Sequence, residues 1–132
     1  MERNKKEKNM EKQKILIIED EVTLHEALLD YLKGEGFEVF SAVDGEKGVE
    51  EARAKLPDLV LLDIVLPKKD GYEVLTELKK DDKTKNIPVI LLTNLGSNED
   101  IQKAFDKGAT TYLIKADYKL EDVVKKIKET LK

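Results

Sequence analysis

A short apolar run followed by an amphipathic stretch recurs five times along this chain, and that alternation leaves few folds open. KILIIE (14–19), FEVFSA (37–42), DLVLLD (58–63), IPVILLT (87–93) and ATTYLIK (109–115) read as strands. Pro88 suits only the beginning of its strand, since proline donates nothing to a ladder. The intervening stretches read as helices. Residues 22–34 turn Leu24, Leu28, Tyr31 and Leu32 inward before Gly34 and Gly36. Asp44-Gly45 opens a second helix that carries Val49, Ala52 and Leu56 and closes at Pro57. Tyr72–Lys80 buries Val74, Leu75 and Leu78. Ser97 and Asp100 form the frame of a capping box, with Asp in place of the usual Glu or Gln. The helix they start turns Ile101, Ala104 and Phe105 inward and ends at Gly108. Leu120, Val123, Val124, Ile127 and Leu131 line one face of the last helix. Strict alternation predicts an α/β fold: a mainly parallel, doubly wound sheet with right-handed crossovers and helices on both faces. Strands buried on both faces would explain the continuous apolar runs.

Charge and composition narrow the function classes. The 132 residues suit one domain with its own core. Without cysteine, neither a disulfide framework nor a thiolate metal site is possible. No apolar stretch reaches the roughly 18 residues of a membrane span, and MERNKKEKNMEKQ lacks the apolar core of a signal peptide. A cytoplasmic protein without membrane insertion is expected. Residues 1–13 hold five basic and three acidic residues, leaving −6 for residues 14–132 against −4 overall. The first segment reads as a charged N-terminal extension, solvated and disordered or fraying. Residues 14–132 read as the folded domain, whose acidity disfavours direct DNA binding because phosphates repel it.

LVLLDIVLP (59–67) sets a carboxylate, Asp63, among eight apolar residues, although an unpaired buried charge is costly. The other strand ends suggest the reason. Strand one ends in Glu19-Asp20, strand four in Thr93 and strand five in Lys115, whereas strand two ends in Ser41-Ala42. In an open α/β sheet the ligand site lies beyond the carboxyl ends of the strands, where strand order reverses. If the order is 2-1-3-4-5, strands one and three flank that point and Asp63 stands at its mouth. Like charges about 4 Å apart repel by roughly 4 kcal/mol at an effective dielectric of 20. Protonation or a divalent cation would offset this. Magnesium takes one or two carboxylates plus waters and phosphate oxygens, so the acids suggest a Mg²⁺ site open to a phosphoryl group. Singly, Asp20 and Asp63 could each be a helix cap. Together with the Thr93 hydroxyl and the Lys115 ammonium they form a phosphoryl-transfer constellation. Asp63 would be the nucleophile that becomes an aspartyl phosphate.

IIEDE (17–21), LLDIVLPKKDG (61–71), LLTN (91–94) and GATTYLIK (108–115) together resemble the receiver domain of bacterial two-component response regulators, over about residues 13–132. The resemblance implies a flavodoxin-like (βα)5 sheet of order 2-1-3-4-5. It implies Asp63 as phosphoacceptor, Asp20 as direct metal ligand, Glu19 acting through water and the Val65 carbonyl completing the protein's ligands to Mg²⁺ or Mn²⁺. Pro67 and Asp70-Gly71 would shape the following loop, Thr93 and Tyr112 would be the switch pair, and Lys115 would contact the phosphoryl group. Val65 and Leu95 would border the path of a hydrolytic water, and both being apolar implies slow dephosphorylation. The implied partners are a sensor histidine kinase or phosphotransfer protein, and a downstream protein on the face of the fourth helix, fifth strand and fifth helix. The chain would be a stand-alone regulator of the chemotaxis type, monomeric or dimerising on phosphorylation, and not an enzyme beyond phosphotransfer to, and hydrolysis from, its own aspartate. Lone His25 reads as an ordinary surface residue.

Three departures from the family pattern stand out. Ala116 follows the lysine where proline is usual, in a segment one residue longer, so the 115–116 bond is expected to be trans. Lys119 replaces the usual hydroxyl cap of the last helix and cannot accept from backbone N–H groups. Asn94, larger than the usual residue, narrows access to Asp63. Rival readings fit less well. A flavin module of this fold needs a Ser/Thr/Gly-rich phosphate loop where EDEVT stands. An aspartyl-nucleophile phosphatase needs a second carboxylate where Val65 stands. A pseudo-receiver that binds partners without phosphorylation is the remaining alternative.

Overall fold

All five strands run parallel in a single sheet of order β2-β1-β3-β4-β5. They are β1 (Lys14–Ile18), β2 (Glu38–Ala42), β3 (Leu59–Leu62), β4 (Val89–Thr93) and β5 (Thr111–Ile114). Among the described residues the helices are α1 (Val22–Gly34), α2 (Gly45–Lys55), α3 (Gly71–Lys80), α4 (Asn98–Asp106) and α5 (Leu120–Leu131). A 3-10 turn, Lys115–Asp117, leads out of β5. This computed structural model describes residues 12–94 and 96–132. The expectation of a fraying tail concerns residues 1–13, of which 1–11 lie outside that range, as does Leu95.

Strand side chains alternate between faces, and the core divides accordingly. Ile15, Ile17, Leu59, Leu61, Ile90 and Leu92 meet Leu28 and Leu32 of α1 and Val123, Val124 and Ile127 of α5. Leu16, Ile18, Val60, Leu62, Val89 and Leu91 meet Val49 and Ala52 of α2, the apolar face of α3, and Ala104 of α4. The three central strands are buried along their length apart from Lys14, while edge strand β2 exposes part of its surface.

Two residues expected inside lie outside. Leu56 is not the last inward residue of α2. It is the left-handed residue after it, at φ 46°, and is exposed. The proline at 57 disfavours helical backbone at the residue before it. Phe105 of α4 is also exposed. The helix lays Ala104 against the sheet, and one residue onward rotates the side chain by about 100° away.

The helix starts follow cap chemistry. The Asp44 carboxylate accepts from Lys47 N–H, and Asp70 and Glu73 form a reciprocal capping box. Ser97 Oγ accepts from Asp100 N–H and donates to the Asp100 carboxylate. At α5, where Lys119 cannot accept, only the return half of the box forms: Lys119 N–H donates to Asp122 at 3.0 Å. The Lys115–Ala116 bond is trans, within the 3-10 turn Lys115–Asp117.

Candidate functional site

Strand order reverses between β1 and β3, since their chain neighbours lie on opposite sides of the sheet. The residues leaving those two strands meet there. The sheet continues past β1 through Glu19 N–H, which donates to the Ala42 carbonyl, and past β3 through Asp63 N–H, which donates to the Ile18 carbonyl. Glu19 and Asp63 are thus fixed by backbone before their side chains make any contact. Glu19, Asp20 and Asp63 each offer a carboxylate oxygen within 4.8 Å of the other two. Glu19 and Asp63 are buried, and Asp20 is exposed.

Lys115 closes the cluster. Its ammonium lies 2.9 Å from both Glu19 Oε1 and Asp63 Oδ2, and 3.5 Å from Glu21 Oε1. The second Asp63 oxygen, Oδ1, accepts from Ile64 N–H at 2.7 Å and weakly from Val65 N–H at 3.4 Å. Burial pushes the Glu19 carboxyl up, against the lowering effect of the Glu21 N–H and Lys115. Burial would lower Lys115, but its hydrogen bonds to Asp63 and Glu19 outweigh this and hold it above the ordinary lysine value. One lysine therefore faces more negative charge than it cancels. A compact, hard, oxygen-only donor set with excess negative charge suits Mg²⁺, and suits softer transition metals less.

The loop after β3 is held tightly against this site. A Cβ on Gly71 would come within 2.4 Å of the Asp63 carbonyl oxygen, so only glycine fits. Gly71 N–H donates to the Ile64 carbonyl at 2.7 Å, and the Pro67 carbonyl accepts from Gly45 and Lys69. The Val65 side chain is exposed at the rim, as is Asn94. Thr93 ends β4 fully buried, in register with Ile114, the residue before Lys115. Tyr112 is half-buried against the cluster that contains Tyr72 and Ala104. Its phenol is pushed up to about 12, chiefly by burial.

The structure thus brings Glu19, Asp20, Asp63 and Lys115 together and sets Thr93 on the adjoining strand end. It departs from expectation at His25. This residue is buried, and its Nδ1 lies 2.9 Å from the Glu19 carbonyl oxygen. It falls one residue after Leu24 and three before Leu28, on the inward side of α1. Its polarity had suggested surface, but the carbonyl at the end of β1 supplies the partner that makes burial tolerable.

The "Response regulator receiver domain" family model matches residues 15–128. Over 119 residues the chain is 39% identical to a Synechocystis protein described as the DNA-binding dual master transcriptional regulator RpaA, covering 90% of this chain and 49% of that one. The chain spans about half the length of the curated relatives it matches. A CheY-like receiver domain protein from Methanospirillum hungatei superposes with a TM-score of 0.85 at 29% identity, covering 91% of this chain and 94% of its own. The receiver domain of a Pseudomonas aeruginosa sensor histidine kinase, solved with magnesium in its active-site cleft, superposes at 0.83 with 26% identity, covering 90% and 98%. From fold, site and sequence alike, the chain belongs to the response regulator receiver domain family.

Proposed function

We propose that Asp63 accepts a phosphoryl group from a sensor histidine kinase or phosphotransfer protein. The observation that carries this reading is the division of labour around its carboxylate. Oδ1 is held by backbone N–H groups, while Oδ2 faces the Lys115 ammonium beside Glu19 and Asp20. Oδ2 is the attacking atom. It forms a bond to phosphorus as the phosphorus–nitrogen bond of the donor imidazole breaks, the electron pair staying with the imidazole. Lys115 stands beside that oxygen and offsets charge developing on the phosphoryl group. Held by Asp20, Asp63 and the Val65 carbonyl, with Glu19 acting through water, Mg²⁺ or Mn²⁺ would neutralise phosphoryl oxygens. The chemistry stays on this one aspartate: transfer onto it and hydrolysis from it.

Thr93 and Tyr112 are the proposed switch pair. The hydroxyl turns toward the new phosphoryl group and the ring shifts on β5. The downstream protein reads this on the α4–β5–α5 face, where Phe105 is already exposed. Residues 14–132 form the receiver in this reading, 1–13 a charged extension, and the setting is cytoplasmic. Among the described residues no helix is long and apolar enough to cross a membrane. The protein acts as a monomer or a phosphorylation-dependent dimer.

Incubation with acetyl phosphate and Mg²⁺, followed by intact mass, should show one added phosphoryl group, lost in Asp63→Asn. An unlabelled wild type would instead favour an interaction module not regulated by phosphorylation. Val65 and Leu95 are proposed to slow hydrolysis by denying a water polar neighbours. Val65→Asn with Leu95→Glu should therefore shorten the lifetime of the labelled state, followed by mass after acetyl phosphate is removed.

A further inference from the structure

We infer that His25 is a positioning residue, whose imidazole holds the 19–20 peptide plane and thereby aims Asp20 into the metal site. The inference rests on the metal-dependent reading above. Every polar atom of Glu19 is engaged. Its N–H donates to the Ala42 carbonyl, Oε1 faces Lys115, and Oε2 accepts from Glu21 N–H at 3.0 Å. Its carbonyl oxygen, which has no β-ladder partner among the described residues, lies 2.9 Å from His25 Nδ1. A carbonyl only accepts, so Nδ1 carries the hydrogen. His25 also donates its backbone N–H to the Glu21 carbonyl at 2.9 Å. One residue on the first turn of α1 thus grips the acidic loop at both ends, with Asp20 between.

Asp20 needs this grip because it is the exposed member of the cluster. Its carboxylate lies within 4.8 Å of those of Glu19 and Asp63, at a range where like charges repel. The 19–20 peptide plane sets the direction in which the Asp20 Cα–Cβ bond leaves the chain, and His25 fixes that plane. Groups that hold a ligand from behind typically govern metal affinity by 10- to 100-fold.

Two variants separate positioning from filling. His25→Leu keeps the volume and loses the donor. His25→Asn places an amide N–H close to where Nδ1 stood. The amide resonances of Asp20 and Glu21 are followed in ¹⁵N–¹H spectra, first without metal and then through a Mg²⁺ titration. We expect His25→Leu to displace both resonances in the metal-free protein and to weaken Mg²⁺ binding about tenfold. His25→Asn should restore both. Unmoved Asp20 and Glu21 resonances in His25→Leu, unaltered Mg²⁺ affinity, or an Asn variant no better than Leu would each overturn the inference. A wild type whose spectrum does not respond to Mg²⁺ would overturn the metal reading and this inference with it, and is distinguishable because it needs no variant. Urea unfolding of all three proteins identifies any change that is only lost stability, and weaker Mg²⁺ binding that tracked stability across the three would also count against the inference.

Discussion

Asp58 and Asp63 bracket the same four-residue strand, and they live in opposite circumstances. Asp58 is exposed at the amino end, where its carboxylate accepts Lys14 N–H at 2.7 Å and its own N–H donates to the Lys14 carbonyl at 2.8 Å. Asp63 is buried at the carboxyl end, with Glu19 buried alongside and one lysine between them. The amino end of the sheet ties charges off locally, in water, so they cost little. The carboxyl end gathers acids from two strands into a space that a single cation does not neutralise. The ladder is continuous from one end to the other, so hydrogen bonding cannot account for the difference. What differs is the excess of buried negative charge at the carboxyl end, which suits a divalent cation.

That contrast can be broken from the side of the core. Leu62, fully buried, is the last residue of β3 and carries Asp63. Leu62→Ala should cost about 4 kcal/mol in urea unfolding, and the loss should be the same with Mg²⁺ or with a chelator. A loss that depended on Mg²⁺ would mean the core and the mouth are not separable.

The next effect belongs to the mouth alone. Lys115→Met keeps the apolar stem and removes the cation, leaving Glu19 and Asp63 buried without compensation. In chelator it should lose roughly 3 kcal/mol, and much of that should return with Mg²⁺. At the amino end, the exposed partner of Asp58 is a backbone N–H, and no comparable Mg²⁺-dependent loss should follow from Asp58→Asn.

How much of this contrast could be read from the chain depends on the residue. The five strand–helix units, and the placement of Glu19, Asp20, Asp63, Thr93 and Lys115 at strand ends, follow from apolar spacing, because sheet burial writes itself into every strand; that these ends meet depends on the strand order, which the family resemblance implied and spacing did not. Leu56 and Phe105 were misplaced because helical periodicity does not say where a helix stops or which of two adjacent apolar residues faces in. His25 escaped because its partner is a backbone carbonyl six residues away, which has no signature in sequence. The capping role of Asp122 at α5 was likewise hidden behind an unsuitable Lys119. The Asp58–Lys14 tie joins residues 44 apart, and only the strand register reveals it.

The smallest expected effect is a pH dependence. Burial holds the Glu19 carboxyl above its ordinary value of 4.5, so the folded state binds that proton more tightly than the unfolded one. Stability from this group is fully present below 4.5 and is lost as pH rises through the raised value. In chelator, the difference in unfolding free energy between wild type and Glu19→Gln should therefore shift in favour of the wild type on acidification from neutral pH toward 4.5. A difference that stayed flat across that window would show Glu19 to be no less at ease ionised than an exposed acid.

The central claim is that the carboxyl end holds more like charge than it can neutralise until a metal arrives. The most direct measurement is the unfolding free energy of wild type and Asp63→Asn, each with Mg²⁺ and with chelator. Removing one of the repelling charges should make Asp63→Asn the more stable protein in chelator, and Mg²⁺ should stabilise the wild type by clearly more than the variant. If Asp63→Asn is the less stable protein in chelator, and Mg²⁺ stabilises both equally, then Asp63 is a structural ion-pair partner of Lys115 and the account is wrong.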